Sequence, residues 1–186
     1  LTKKTIKQKA IYSVSEKNKI ARVALLTGCV QKKISTEINE ATIRLLNRHG
    51  VEVVVPKKIR CCGSLNHHLG KEDDAHQDFR NNINTWYDEH QKGNLDAILS
   101  NTSGCGTTMK DYGFIFKDDE EMKKKAKVIS ESSKYGSEDL NDSINFNFKV
   151  KDKKYKIENH SACSMHHVKK VNDIPISLLT HTEKEN

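Results

Sequence analysis

Residues 59–70 read Ile-Arg-Cys-Cys-Gly-Ser-Leu-Asn-His-His-Leu-Gly. Two adjacent thiols (Cys61, Cys62), Gly63 and the pair His67-His68 thus share one short stretch of a chain that has five cysteines. The other three stand in short glycine- or histidine-marked settings: Thr27-Gly-Cys29-Val-Gln, Ser103-Gly-Cys105-Gly-Thr and His160-Ser-Ala-Cys163. Thiols so placed could form a disulfide, ligate metal, act as a nucleophile, or simply be packed as small apolar groups.

Spacing separates these chemistries. Tetrahedral zinc usually draws its ligands from CxxC pairs, and the sequence contains no CxxC. Neighbouring cysteines in an extended loop point in different directions, which suits one small ion poorly. A polynuclear iron–sulfur cluster can take adjacent thiolates on different irons. A Cys61–Cys62 disulfide would be strained. A nucleophilic cysteine would need a base, which His67 or His68 could provide. Spacing favours the cluster over zinc; buried, unligated cysteines remain open as a reading.

The elements that must position these residues can be read from apolar patterning. Arg22–Thr27 and Val51–Val55 are short apolar runs of the kind a buried parallel strand gives, and Leu95–Ser100 is a third. Between the first two, Ser35-Thr36 suits a helix start and Gly50 a stop, with Ile34, Ile38, Ala41 and Leu45 on one face. Ala75, Phe79, Asn82/Ile83, Trp86 and His90 repeat at helical spacing up to Gly93. A short helix is expected near 107–112, and another from Glu120 to about Tyr135 with Met122, Ala126 and Ile129 inward. Strands alternating with helices predict an α/β fold, a parallel sheet flanked by helices on both faces. Cys29, Cys61, Cys62 and Cys105 would then all leave the carboxyl edge of that sheet, where open α/β folds bind ligands. Helix N-termini beyond those loops would favour thiolate.

Residues 1–20 are lysine-rich and without period, as in a linker; 21–140 form the expected domain. Patterning fades near 136–147, so 141–186 read as a separate beginning, with two short strand-like runs before His160 and Cys163. The net charge of +7 is carried mostly by lysine, and its basic runs lack the arginine forks and interleaved aromatics of nucleic-acid readers. They read as solvated faces. No apolar run approaches the ~20 residues of a membrane span. An odd cysteine count without a secretory signal points to a reducing, cytoplasmic compartment.

The ordered motifs Thr27-Gly-Cys-Val-Gln31, Cys61-Cys-Gly63, His67-His-Leu-Gly70, Ser103-Gly-Cys-Gly-Thr107 and Lys110-Asp-Tyr-Gly113 resemble the cysteine-rich CCG domain. Within that group they look most like the glycolate oxidase iron–sulfur subunits; related domains occur in heterodisulfide reductase B subunits and a lactate-utilisation protein. The resemblance implies an electron-transfer subunit with an iron–sulfur cluster of 4Fe–4S type. Cys29, Cys61, Cys62 and Cys105 match the first-repeat cysteines, and His160 and Cys163 match the opening of a second repeat. Gly63, His67, His68 and His160 would stand around the ligands. Flavin would belong to a partner glycolate-oxidising subunit, and any membrane association, at the inner face, would come through the complex. This chain would not be catalytic alone.

There are departures. Ser161 replaces an aspartate, Cys105 lacks a CxxC partner, and neither a ferredoxin-type cysteine run nor a second CCG is present. The chain therefore reads as the middle piece of a larger subunit with an incomplete second repeat. A zinc-bound or metal-free docking domain, or an inactive remnant, is the alternative.

Overall fold

The computed structural model describes residues 10–138 and 173–174. Its centre is a five-stranded sheet in the order β1-β3-β2-β4-β5, with β1 Ile11–Tyr12, β2 Ala21–Leu26, β3 Val51–Val54, β4 Ala97–Ser100 and β5 Ser133–Tyr135. β2 pairs in parallel with both β3 and β4, and β4 with β5; β1 alone runs antiparallel, against β3. From β1 at one edge the chain enters the middle of the sheet at β2, steps out to β3, then crosses back over β2 to β4. That reversal makes the switch point at which open α/β sheets place their ligands.

The alternation of β2 divides the core. Val23 and Leu25 join Ile43 and Leu46 of helix α2 (Thr36–Arg48) on one face. Ala24 and Leu26 join the larger cluster on the other face, built by α4 (Glu72–Gly93), α5 (Ser103–Ile115) and α6 (Lys123–Ser132). Two short helices, α1 (Gln31–Ile34) and α3 (Ser64–His68), sit directly after cysteine loops. The expected stripe of α4 is buried as Ala75, Phe79, Asn82, Ile83 and Trp86. Phe79, Ile83 and Trp86 are fully enclosed, each burial contributing roughly 1.5–3 kcal/mol. Met122, Ala126 and Ile129 face inward as their spacing predicts.

Four local expectations are corrected. The helix after β2 is broken at Ser35, whose φ of −142° and ψ of 66° end α1 and restart the helical phase. The buried face of α2 is therefore Asn39, Ile43 and Leu46, while Ile34 and Ile38 are 72% and 46% exposed. Ser35 holds the N-cap position without a side-chain capping bond. The helix carrying Cys105 begins at Ser103 rather than near residue 107, so Cys105 lies in its first turn. Tyr135 is not the end of a helix but a strand residue paired with Ser100. Ile11 and Tyr12, within the lysine-rich N-terminal stretch, add an edge strand to β3. Among the described residues, no helix is long and apolar enough to cross a membrane.

Candidate functional site

Each cysteine reaches the site from a different strand exit. Cys29 follows β2 by way of Thr27 and Gly28, Cys61 and Cys62 lie in the connection from β3 to α3, and Cys105 sits in the first turn of α5 after β4. Because β3, β2 and β4 are adjacent and parallel, these exits share the carboxyl edge of the sheet. The sulfurs meet in pairs: Cys29 Sγ lies 3.3 Å from Cys61 Sγ, and Cys62 Sγ lies 3.0 Å from Cys105 Sγ. Cys29 is exposed, Cys61 and Cys105 are half-buried, and Cys62 is part of the core at 3% exposure.

Three buried polar side chains fasten the loops. Asn39 of α2 donates to the Thr27 carbonyl at 2.8 Å. Asn82 of α4 accepts from the Arg60 N–H at 2.8 Å and donates to the Cys61 carbonyl at 2.7 Å. Tyr112 of α5 donates to the Cys62 carbonyl at 2.8 Å. Asn39, Asn82 and Tyr112 thus bring three helices to bear on two thiol-bearing loops, at Thr27 and at Arg60–Cys62. Each satisfies a loop carbonyl that burial would otherwise leave at a cost of about 1–3 kcal/mol.

Two glycines let the elements close up. Gly63 has φ +79°, and a Cβ there would stand 2.3 Å from Phe79 Cε1. Gly106, one residue past Cys105, would put a Cβ 2.3 Å from Tyr135 Cε1. A side chain at either position would push α4 or β5 away from the cysteine loops.

The thiols form a proton-sharing row. Cys62 donates to Cys105 and holds the Cys105 thiol below its ordinary value. The same contact, with burial added, pushes Cys62 up to about 12. Cys61 is raised by its contact with Cys62 and then by burial; Cys29 is raised by burial and then by Cys61. Backbone N–H groups oppose these shifts: Val30 toward Cys29, Gly63 toward Cys61 and Ser64 toward Cys62. Amides aimed at sulfur stabilise its anionic form.

The donor set fits an iron–sulfur group: four thiols from three strand exits, with amides directed at three of the sulfurs. Among the described residues, no three His, Cys, Asp or Glu side chains are grouped so as to hold a single metal ion.

The remaining predicted residues divide. His67 packs edge-on to Phe79, with ring centroids 5.8 Å apart, and its buried Nδ1 has no hydrogen-bond partner among the described residues. His68 is exposed. Cys163 and His160 lie outside the described residues, as does most of the expected second repeat. In the sequence Asn39 goes unnoticed, Tyr112 stands out only inside the Lys110-Asp-Tyr-Gly113 motif, and Asn82 only as part of the apolar stripe. Its signal was an amide placed on the inward face of a helix, where a buried polar group must have a partner.

An α/β unit with a thiol row at its switch point defines a cysteine-rich domain. Residues 23–110 match the family model described as CCG, cysteine-rich domain. It is similar to the glycolate oxidase iron–sulfur subunit of Escherichia coli, with 34% identity over 81% of this chain and 37% of that protein. It is 30% identical to the probable glycolate oxidase iron–sulfur subunit of Bacillus subtilis, over 61% of this chain and 24% of the relative. Lactate utilization protein A of B. subtilis is 27% identical over 87% of this chain and 66% of its own length. The chain thus spans little more than a third of the E. coli relative. No solved structure matches it.

Proposed function

We propose that the chain is the electron-transfer iron–sulfur part of a glycolate-oxidising complex. Cys29, Cys61, Cys62 and Cys105 would hold a cluster of 4Fe–4S type, and Cys163 would serve a second repeat. The observation that carries this reading is the convergence of those four thiols, from three strand exits, into two touching pairs. The similarity to iron–sulfur subunits supports it.

The cluster would supply one-electron transfer at a potential set by its surroundings. The protein's own contribution is to position and tune. Asn82 and Tyr112 hold the Cys61 and Cys62 backbone still, so both thiols keep their direction as protons leave. The amides of Val30, Gly63 and Ser64 stabilise negative charge on sulfur. Burial of Cys62 keeps water from the inner side. Glycolate would be oxidised on a flavin-bearing partner subunit, with this chain relaying the electrons. Residence in the cytoplasm, at the inner face of the membrane through the complex, accords with that role.

Anaerobic reconstitution with iron and sulfide, followed by visible absorption and electron paramagnetic resonance, tests the assignment. A brown protein with a cluster signal that Cys62→Ser abolishes is the expected result. A colourless protein holding one zinc per chain would overturn it.

A further inference from the structure

The structure pairs the four thiols in a particular way. Cys61 turns toward Cys29, at the exit of β2, while its neighbour Cys62 turns toward Cys105, at the start of α5. The two sulfur separations, 3.3 and 3.0 Å, are close to van der Waals contact. Closure to a disulfide at about 2.05 Å asks each pair for a movement on the order of 1 Å. The competing link, Cys61 to Cys62, would close a small strained ring across one peptide bond. That peptide is held on both sides, its Cys61 carbonyl by Asn82 and the following Cys62 carbonyl by Tyr112.

We propose that in the metal-free chain these cysteines form a reversible double disulfide, Cys29–Cys61 and Cys62–Cys105, made by exchange with small-molecule disulfides. At the outer pair, exposed Cys29 attacks one sulfur of the reagent, giving a mixed disulfide and releasing one thiolate. Cys61 then attacks the Cys29 sulfur and expels the second thiolate. The inner pair follows the same course, with half-buried Cys105 as entry point and buried Cys62 resolving. Four protein thiols lose four electrons and four protons, and two reagent disulfides become four thiols. All four candidate ligands are thereby masked, shielded from irreversible oxidation to sulfinic acid. A dithiol reductant restores them.

The inference does not depend on the cluster: the pairing concerns the metal-free thiols, and reconstitution is a separate measurement. The test uses the full chain, reduced, freed of metal and exposed to glutathione disulfide, then alkylated in denaturant, digested and mapped by mass spectrometry. The expected products are cross-linked peptides Cys29–Cys61 and Cys62–Cys105, with Cys163 outside both. A Cys61–Cys62 link, a link to Cys163, or stable glutathione adducts with no cross-link would overturn the proposal. In Cys61→Ser, glutathione should stay on Cys29 while Cys62–Cys105 still closes. Failure of that inner closure would overturn the independence of the two pairs.

Discussion

The Tyr112 hydroxyl donates a 2.8 Å hydrogen bond to the backbone carbonyl of Cys62, a residue fifty positions earlier in the chain. The bond lies in the interior, beside the ring of Phe79 at a centroid distance of 5.1 Å. Tyr112→Phe keeps the ring packing and leaves the carbonyl unsatisfied. It is expected to cost about 1–3 kcal/mol, read as a lower urea midpoint with an unchanged slope. A midpoint equal to that of the parent would show that the bond contributes nothing.

Asn82 has two jobs at one loop, and two substitutions separate them. Asn82→Asp keeps the acceptor for the Arg60 N–H but loses the donor to the Cys61 carbonyl. Asn82→Ala loses both and opens a void in a fully buried position. Alanine should therefore speed amide exchange at Arg60, whereas aspartate should leave that amide protected. Equal exchange in the two variants would refute this division of roles.

Gly63 and Gly106 resist substitution for different reasons. At Gly106 the obstacle is the Tyr135 ring, so Gly106→Ala should cost about 1–3 kcal/mol in the parent and markedly less beside Tyr135→Ala. At Gly63 the Phe79 ring is only half of the obstacle, because φ is +79°. Gly63→Ala should keep a backbone penalty of about 1–3 kcal/mol even beside Phe79→Leu. Double-mutant cycles on thermal or urea unfolding measure both couplings.

Glu89 gives the fold an acid sensitivity far from the thiols. Burial would raise its carboxyl, but Lys92 at 2.8 Å and Arg22 at 3.2 Å outweigh that and hold it below the usual value of 4.5. A carboxylate depressed on folding contributes stability above its unfolded pKa and loses it as pH falls through the folded one. Glu89→Gln should therefore destabilise the protein at pH 7, with the difference from the parent vanishing as pH drops below 4.5. Urea midpoints measured from pH 7 down to pH 3 follow the gap; one that stays constant would count against the linkage.

Much of this arrangement was legible in the residues because it is local. The apolar runs at β2, β3 and β4 are short, nearly continuous and closed by turn residues, and the Phe79–Trp86 stripe keeps helical phase over several turns. Parallel pairing then followed from alternation, which placed Cys29, Cys61, Cys62 and Cys105 on one edge before any distance was known. What stayed hidden depends on partners distant in sequence. β1 and β5 are strands because β3 and β4 offer them an edge, not because Ile11–Tyr12 or Ser133–Tyr135 alternate. The inward turn of Asn39 depends on the free carbonyl of Thr27 and on the break at Ser35, neither of which periodicity records. The pairing of the thiols, Cys61 with one neighbour and Cys62 with the other, likewise required the sheet order.

That sheet order also sets a schedule for synthesis. β2, the first central strand made, receives β3 on one side and must wait for β4 on the other. While the ribosome is still adding α4, Cys29 and Cys61 have already been made, but Cys62 has no Cys105 to meet. The last thiol arrives only with the first turn of α5, and its helix is complete at Ile115. Domains fold from the N-terminal side as they emerge, so any prosthetic group that needs all four sulfurs has to be inserted after that residue has left the tunnel. A nascent chain stalled before residue 103 would offer three of the thiols and no closed site.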